Sequence, residues 1–215
     1  MRPILFYDRI SPPVRSVLLL IRELNLNVEK RYVNLLKREN HREDFIKLNP
    51  LHTVPVLQDE QCTLTDSQAI LMYLCDRYGS TSLFPKDPSL RYRIINRLFF
   101  NGCLFFRRDS DMMSEFFRYG VVDVSDHRLK IEQSYSHLES FLSDQKFMAS
   151  DQMTIADLSI VSTLSTVDAY IPVEETTWPR TFDWFNRMKA LPYYIEENQA
   201  GIDELQEAIR KRCGN

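Results

Sequence analysis

Ile4-Leu5-Phe6-Tyr7-Asp8-Arg9-Ile10-Ser11-Pro12-Pro13-Val14-Arg15-Ser16-Val17-Leu18-Leu19-Leu20-Ile21 is the stretch whose reading decides the fold. Pro3–Asp8 is a short apolar run with the length of a strand. Ser11-Pro12-Pro13 then opens a helix, because proline is favoured at the first helical position and serine before it. Val14, Val17, Leu18 and Ile21 recur at i, i+3, i+4 and i+7, one apolar helical stripe. A strand turning directly into a helix through a serine is the start of an α/β unit.

Working outward, Val28–Leu36 reads as a second strand and Glu39–Leu48 as a helix stopped by Asn49-Pro50. Val54–Gln58 and Gln61–Thr65 read as a hairpin around Asp59-Glu60, and Ser67–Tyr78 as a closing helix with Ile70, Tyr73 and Leu74 inward. The order βαβαββα implies a parallel pair with a right-handed crossover followed by a hairpin, the thioredoxin-like plan. Gly79-Ser80-Thr81-Ser82, Pro85 and Pro88 read as a linker. Beyond it the pattern is helical. Leu98, Gly102, Phe105, Met112 and Phe116 mark one long amphipathic helix; Ile131, Tyr135, Leu138 and Leu142 mark another. Thr154–Ile171 is apolar or small all round, as in a helix buried mid-domain. Phe182, Phe185 and Met188 precede Pro192, and Ile202–Arg212 is a last, polar helix. The expected division is an α/β domain over 1–79, a linker over 80–88 and an all-helical domain over 89–215.

Composition bounds the function. The 215 residues are 44% hydrophobic and 27% charged, with five glycines and ten prolines, so the chain suits a packed core rather than disorder. A formal net charge of −3 offers no basic excess for nucleic acid or an anionic membrane. No apolar run approaches the roughly 20 residues of a membrane helix, and the first residues are too short a run for a signal peptide. Cys62, Cys75, Cys103 and Cys213 show no paired spacing, which suits reduced thiols in the cytoplasm. The histidines do not cluster with them, so no metal site is expected.

Three places carry chemistry. Ser11 reads either as a plain helix cap or as a hydroxyl placed where a helix start favours an anion. With Ser-Pro-Pro-Val instead of a cysteine pair, this turn cannot exchange disulfides. It can donate a hydrogen bond to a bound thiol and favour its ionised form. Lowering a thiol pKa by ~2 units takes ~2.7 kcal/mol, within reach of a charge-assisted hydrogen bond plus a helix terminus. Val54-Pro55 lies inside a strand pattern, which proline tolerates at an edge, at an irregular position or through a cis bond. Asp66-Ser67 sits at a helix start, where the two residues either cap the helix or hold the carboxylate and ammonium of a ligand's α-amino-acid end.

Together these stretches resemble the cytosolic glutathione transferases of the insect delta/epsilon type. The resemblance rests on Ser11–Ser16, Leu48–Leu57, Leu64–Ile70 and Met153–Leu158. It implies glutathione as co-substrate, a homodimer, and Ser11 as the residue that activates the sulfur. It further implies that His52, Val54 and Pro55 meet the glycyl and cysteinyl parts, and that Asp66 and Ser67 meet the γ-glutamyl end. Thr154-x-x-Asp157 matches the family's buried capping box. The chain departs from the pattern at Gln68, where an arginine is common, and at Asn40, where a histidine is common, with His41 one place late.

One carboxylate interrupts an apolar face. Leu98, Gly102, Phe105, Asp109, Met112 and Phe116 share a stripe, so Asp109 needs a partner. That partner is either backbone or a basic side chain, or a hydroxyl on an apolar ligand. Arg107 and Arg108 are spaced to pair with Asp111. The run Arg107–Asp111, with Leu158–Val167, resembles the noppera-bo group of these transferases, whose members bind steroids and serve ecdysteroid production. In the ligand reading Asp109 lines a second-substrate pocket with Pro12, Leu35, Phe105, Met113 and Phe117, and the resemblance implies a steroid hydroxyl as the group Asp109 accepts and adds Thr166 to the lining. Three functions follow: conjugation of glutathione to a hydrophobic electrophile, carriage of a steroid or sterol without chemistry, or an assembly module. Retention of Ser11 counts against the third.

Overall fold

The fold is seen in a computed structural model that describes residues 2–79, 82–119 and 124–213, without the side chains of Phe116, Phe117 and Cys213. Ser80 and Thr81 of the expected linker, and the Phe116 and Phe117 side chains expected on the helical stripe and the pocket wall, therefore lie outside the described residues.

Strand β1 (Ile4–Tyr7) leads through the Ser11 turn into α1 (Pro12–Glu23), and β2 (Glu29–Tyr32) returns parallel to β1. A single 3₁₀ turn (Glu39–His41) and the short α2 (Glu43–Leu48) follow. The hairpin of β3 (Val56–Gln58) and β4 (Thr63–Leu64) sets β3 antiparallel to β1, giving the order β2-β1-β3-β4, and α3 (Ser67–Tyr78) closes the unit. This is the thioredoxin-like plan, with all four strands and α2 shorter than the sequence suggests. The second strand ends at Tyr32 because the chain turns away there: Leu35 N–H bonds Asp8 instead of a neighbouring strand. The expected helix from Glu39 is broken at Arg42, which takes an extended conformation (φ −70°, ψ 149°). The strand expected from Val54 starts two residues late, because Val54–Pro55 is a cis peptide.

The helical part is α4 (Pro88–Phe99), α5 (Phe106–Tyr119), α6 (Ser125–Phe141), α7 (Ile155–Asp168), α8 (Pro179–Lys189) and α9 (Ala200–Cys213). The single long helix expected through Leu98 and Met112 is interrupted. Phe100–Phe105 is a π-helical turn, in which each N–H reaches one residue further back, so α5 leaves it rotated relative to α4. A second π turn at Ile195–Gln199 introduces α9. Helix α7 is buried over Ile155–Val167 and packs against α1, joining the helical part to the α/β unit.

The start of α7 carries the expected capping box. Asp157 is fully buried and accepts from Thr154 N–H at 2.8 Å, Met148 N–H at 2.8 Å and Trp184 Nε1–H at 2.9 Å. Burial raises its carboxyl pKa, and these donors oppose the rise. Removing the acceptor strands several buried donors at ~1–3 kcal/mol each. Asp157→Ala should therefore destabilise the protein by roughly 3 kcal/mol or more in urea unfolding. A loss below about 1 kcal/mol would show that the box is dispensable.

Candidate functional site

The first strand-to-helix turn is held from below by Asp8. Its Oδ1 accepts from Ile10 N–H at 3.2 Å and its Oδ2 from Leu35 N–H at 2.9 Å. Burial raises the Asp8 pKa, and the same two backbone bonds work against that rise. Ser11 N–H donates to the Asp8 carbonyl at 3.1 Å, and the Ser11 carbonyl accepts from Arg15 N–H at 3.1 Å. Ser11 has extended dihedrals (φ −81°, ψ 120°), but its side chain makes no capping bond, a correction to the cap reading. The cause is local. A capping oxygen accepts from the second or third helical N–H, and Pro13 removes the second. Pro12 and Pro13 also delete two of the free N–H groups expected to welcome an anion. At this helix start the hydroxyl is the prominent remaining donor.

Two cavities meet at Ser11. The larger, about 690 Å³, is lined by Ser11, His52, Val54, Pro55, Asp66 and Ser67 together with Leu35, Asn40, Gln68, Gly102, Phe106 and Ser110. Every residue expected along a glutathione cleft borders it. Asp66 also does the ordinary thing: its Oδ1 caps α3, accepting from Gln68 N–H at 2.8 Å and Ala69 N–H at 3.0 Å. At both departures from the family pattern the side chain bonds within the protein, although Asn40 Oδ1 is buried without a hydrogen-bond partner. Asn40 Nδ2 donates to the His52 carbonyl at 2.7 Å, and the His41 ring stacks on His52 at 4.4 Å. Gln68 Nε2 donates to Ser67 Oγ at 3.3 Å while its Oε1 accepts from Ser159 Oγ at 2.8 Å.

The smaller cavity, about 260 Å³, is mainly apolar. It is lined by Ile10, Ser11, Pro12, Leu35, Phe106, Asp109, Ser110, Met113 and Thr166, with Ser114, Arg118 and Leu205. Ser11, Leu35, Phe106 and Ser110 border both spaces.

Phe105 is the correction here. It is fully buried and packs edge-on against Tyr135, while its neighbour Phe106 faces the cavities. Phe105 closes the π turn on its core side, and Phe106 opens α5 on the cavity side. Phe106, Asp109, Ser110 and Met113 are spaced i, i+3, i+4, i+7 on α5, a stripe that the sequence carries but that counting from Leu98 misses. Arg107 pairs with Asp111 at 2.9 Å, whereas Arg108 turns instead to Ser134 Oγ at 2.9 Å and the Lys130 carbonyl.

Asp109 is 1% exposed, and its Oδ1 has no hydrogen-bond partner in the protein. Burial pushes its carboxyl up to about 7, and the charge of Arg15 opposes that rise. Among the described residues no group of three or more His, Cys, Asp or Glu could hold a metal ion, and no helix is long and apolar enough to cross a membrane.

Comparison with known proteins gives concordant answers. Residues 5–82 match the N-terminal domain of glutathione S-transferases, and residues 121–192 match the C-terminal domain. The chain is 34% identical over 206 residues to Glutathione S-transferase 1 of Manduca sexta, covering 94% of each. Among solved structures it is similar to an epsilon-class glutathione S-transferase from the housefly, Musca domestica (34% identity, TM-score 0.94, 98% of both chains). It is also similar to a Drosophila mojavensis glutathione transferase homologue with bound glutathione (36% identity, TM-score 0.92, 98% of this chain and 97% of that one).

The unpaired Asp109 has a measurable pH signature. Its pKa is raised from 3.8 to about 7, so ionisation disfavours the folded state. The associated stability is complete below about pH 4 and is lost as pH rises through about 7. Asp109→Asn removes that dependence. Its melting temperature relative to the parent should climb between pH 4.5 and pH 8, reflecting a few kcal/mol in order of magnitude. A difference that is flat with pH refutes the raised pKa.

Proposed function

Because the chain belongs to the glutathione S-transferase family, we propose that Ser11 is the group that activates the glutathione thiol for conjugation to a hydrophobic substrate. The observation that carries the reading is that Ser11 borders both cavities, with its hydroxyl free of any capping bond. The polar space takes the tripeptide. Asp66 and Ser67 serve its γ-glutamyl end, Val54 and Pro55 its cysteinyl backbone, and His52 its glycyl end. The apolar space holds the electrophile within reach of the sulfur. Donation from Ser11 favours the thiolate, the thiol's proton passing to solvent; the sulfur then forms a carbon–sulfur bond while the leaving group departs with its bonding pair, or an activated double bond takes up the π pair and is protonated from solvent.

The second substrate, in this reading, is an apolar molecule bearing a hydroxyl, of the steroid or sterol type, as the likeness to the noppera-bo group and its ecdysteroid role suggests. Asp109 supports it: an unpartnered buried carboxyl oxygen on an apolar wall fits one hydroxyl donor, which would repair the cost of its burial. Phe106, Met113, Pro12, Leu35 and Thr166 complete the wall. The assignment extends to an α/β domain over 1–79, a linker over 80–88, a helical domain over 89–215, and a cytoplasmic homodimer. The same unpaired oxygen favours a second reading, in which the pocket carries a steroid and conjugation is incidental.

With a generic aromatic electrophile, Ser11→Ala should lower turnover near neutral pH by roughly 100-fold, the ~2.7 kcal/mol estimated for the thiol, while retention on immobilised glutathione persists. Undiminished turnover rejects the role. In equilibrium binding, Asp109→Ala should weaken a hydroxysteroid at least tenfold and leave its deoxy analogue unaffected. Equal effects on the two ligands would remove the hydroxyl from the argument.

A further inference from the structure

The Arg15 side chain is fully buried at the junction of α1, α7 and the C-terminal segment, and its guanidinium reaches in two directions. Toward the helical part, Nε donates to Asn198 Oδ1 at 3.0 Å, and Nη2 donates to the Ser162 carbonyl at 2.7 Å and to Thr166 Oγ1. Toward the first turn, Nη1 donates to the carbonyls of Ile10 at 3.2 Å and Arg9 at 3.3 Å. The Ile10 carbonyl belongs to the peptide unit whose N–H is that of Ser11, and this N–H is held by the Asp8 carbonyl at 3.1 Å. The peptide plane before Ser11 is therefore clamped at both ends. The plane after it is held as well, since the Ser11 carbonyl accepts from Arg15's own N–H at 3.1 Å.

With both flanking planes fixed, the direction of the Ser11 Cα–Cβ bond is fixed too. The second anchor is Gly201, at the start of α9. A Cβ on Gly201 would lie 2.1 Å from the Arg9 carbonyl oxygen and 2.9 Å from Arg15 Cδ, so α9 sits hard against the same loop.

We infer that Arg15 is the positioning residue for Ser11: its guanidinium, held by Ser162, Thr166 and Asn198, grips the Arg9 and Ile10 carbonyls and sets where the Ser11 hydroxyl points. The helical part thereby takes part in sulfur activation without touching sulfur. Domain adhesion alone does not account for the arrangement, because all five acceptors are neutral and a buried cation is a costly adhesive. A planar fork that spans several acceptors in fixed directions is what Arg supplies and Lys cannot.

The inference rests on the proposed role of Ser11, and the test separates the two. The readout is the pKa of the glutathione thiol in the binary complex, followed by thiolate ultraviolet absorbance against pH on the full-length protein. In Arg15→Lys it should rise by about one unit, giving about tenfold lower kcat near neutral pH. KM for glutathione should stay within about threefold, and the deficit should close at alkaline pH. A residue that only glues the fold together would lower activity equally at every pH and leave the thiol pKa in place, which overturns the inference. Should Arg15→Lys fail to fold, Gly201→Ala displaces the loop with Arg15 intact, and the same rise is expected; an unmoved thiol pKa there overturns the inference. Ser11→Ala is measured alongside. If its thiol pKa is also unmoved, the reading of Ser11 fails. If its pKa rises while neither Arg15→Lys nor Gly201→Ala raises it, only the positioning role fails.

Discussion

A guanidinium with no solvent contact lies between the α/β unit and the helices, and the site is arranged around its burial. Burial lowers the Arg15 pKa to about 10, and the Asp109 carboxylate, where ionised, opposes that drop. It remains protonated near neutrality. Its direct acceptors are carbonyl, hydroxyl and amide oxygens, so solvation by water is replaced by fixed dipoles rather than by an ion pair. Such a cation tolerates little displacement, since each lost acceptor costs ~1–3 kcal/mol. The loop before Ser11 and the start of α9 inherit that rigidity. Glycine at 201 is the steric counterpart, because any side chain there would drive the two apart.

The same economy explains Asp109. It shares the interior with Arg15 but leaves one oxygen unpartnered, and burial carries its pKa to about 7. In the proposed reading, a ligand hydroxyl is the partner that this oxygen lacks within the fold. The helical spacing of α5 brings Asp109, Ser110 and Met113 to the cavity together with Phe106.

Features encoded over a few residues were legible in the sequence. The Thr154–Asp157 capping box, the bounds of α3 and the irregularity at Val54–Pro55 follow from short-range rules of capping, periodicity and proline geometry. Asp109 was legible because a charge interrupting an apolar stripe is conspicuous. Strand β2 was overextended because Val33, Leu35 and Leu36 continue an apolar pattern after the backbone has turned to Asp8. Phe105 was misplaced because sequence spacing shows which residues turn inward but not whether the inward side meets core or cavity; Phe105 ends against Tyr135 in the core. The partners of Arg15 were invisible for another reason: Ser162 and Asn198 lie 147 and 183 positions away. Contacts of that span are products of the assembled fold.

The long-range contacts nonetheless obey a simple rule once α7 is in place. Ser159, Ser162 and Thr166 are spaced i, i+3, i+7, one face of a helix about two turns long. Ser159 donates to Gln68 at the Asp66–Ser67 end of the cleft, and Ser162 and Thr166 receive Arg15 at the Ser11 end. Asn101, from the π turn, donates to the Ser159 hydroxyl at 2.8 Å and carbonyl at 3.0 Å, so the brace reaches α5's approach as well. Small hydroxyl residues are poor helix formers, yet Ser162 and Thr166 bond back to carbonyls within the helix, at 2.8 Å to Ser159 and 3.2 Å to Ser162. They therefore remain satisfied in a dry interior while keeping oxygens available to the other unit. A Leu or Val at 159 or 166 would lose the bond to Gln68 or to Arg15, whereas at 162 the carbonyl that receives Arg15 would remain. The polar face of one buried helix is thus bonded both to Gln68, beside Asp66 and Ser67, and to Arg15, beside Ser11.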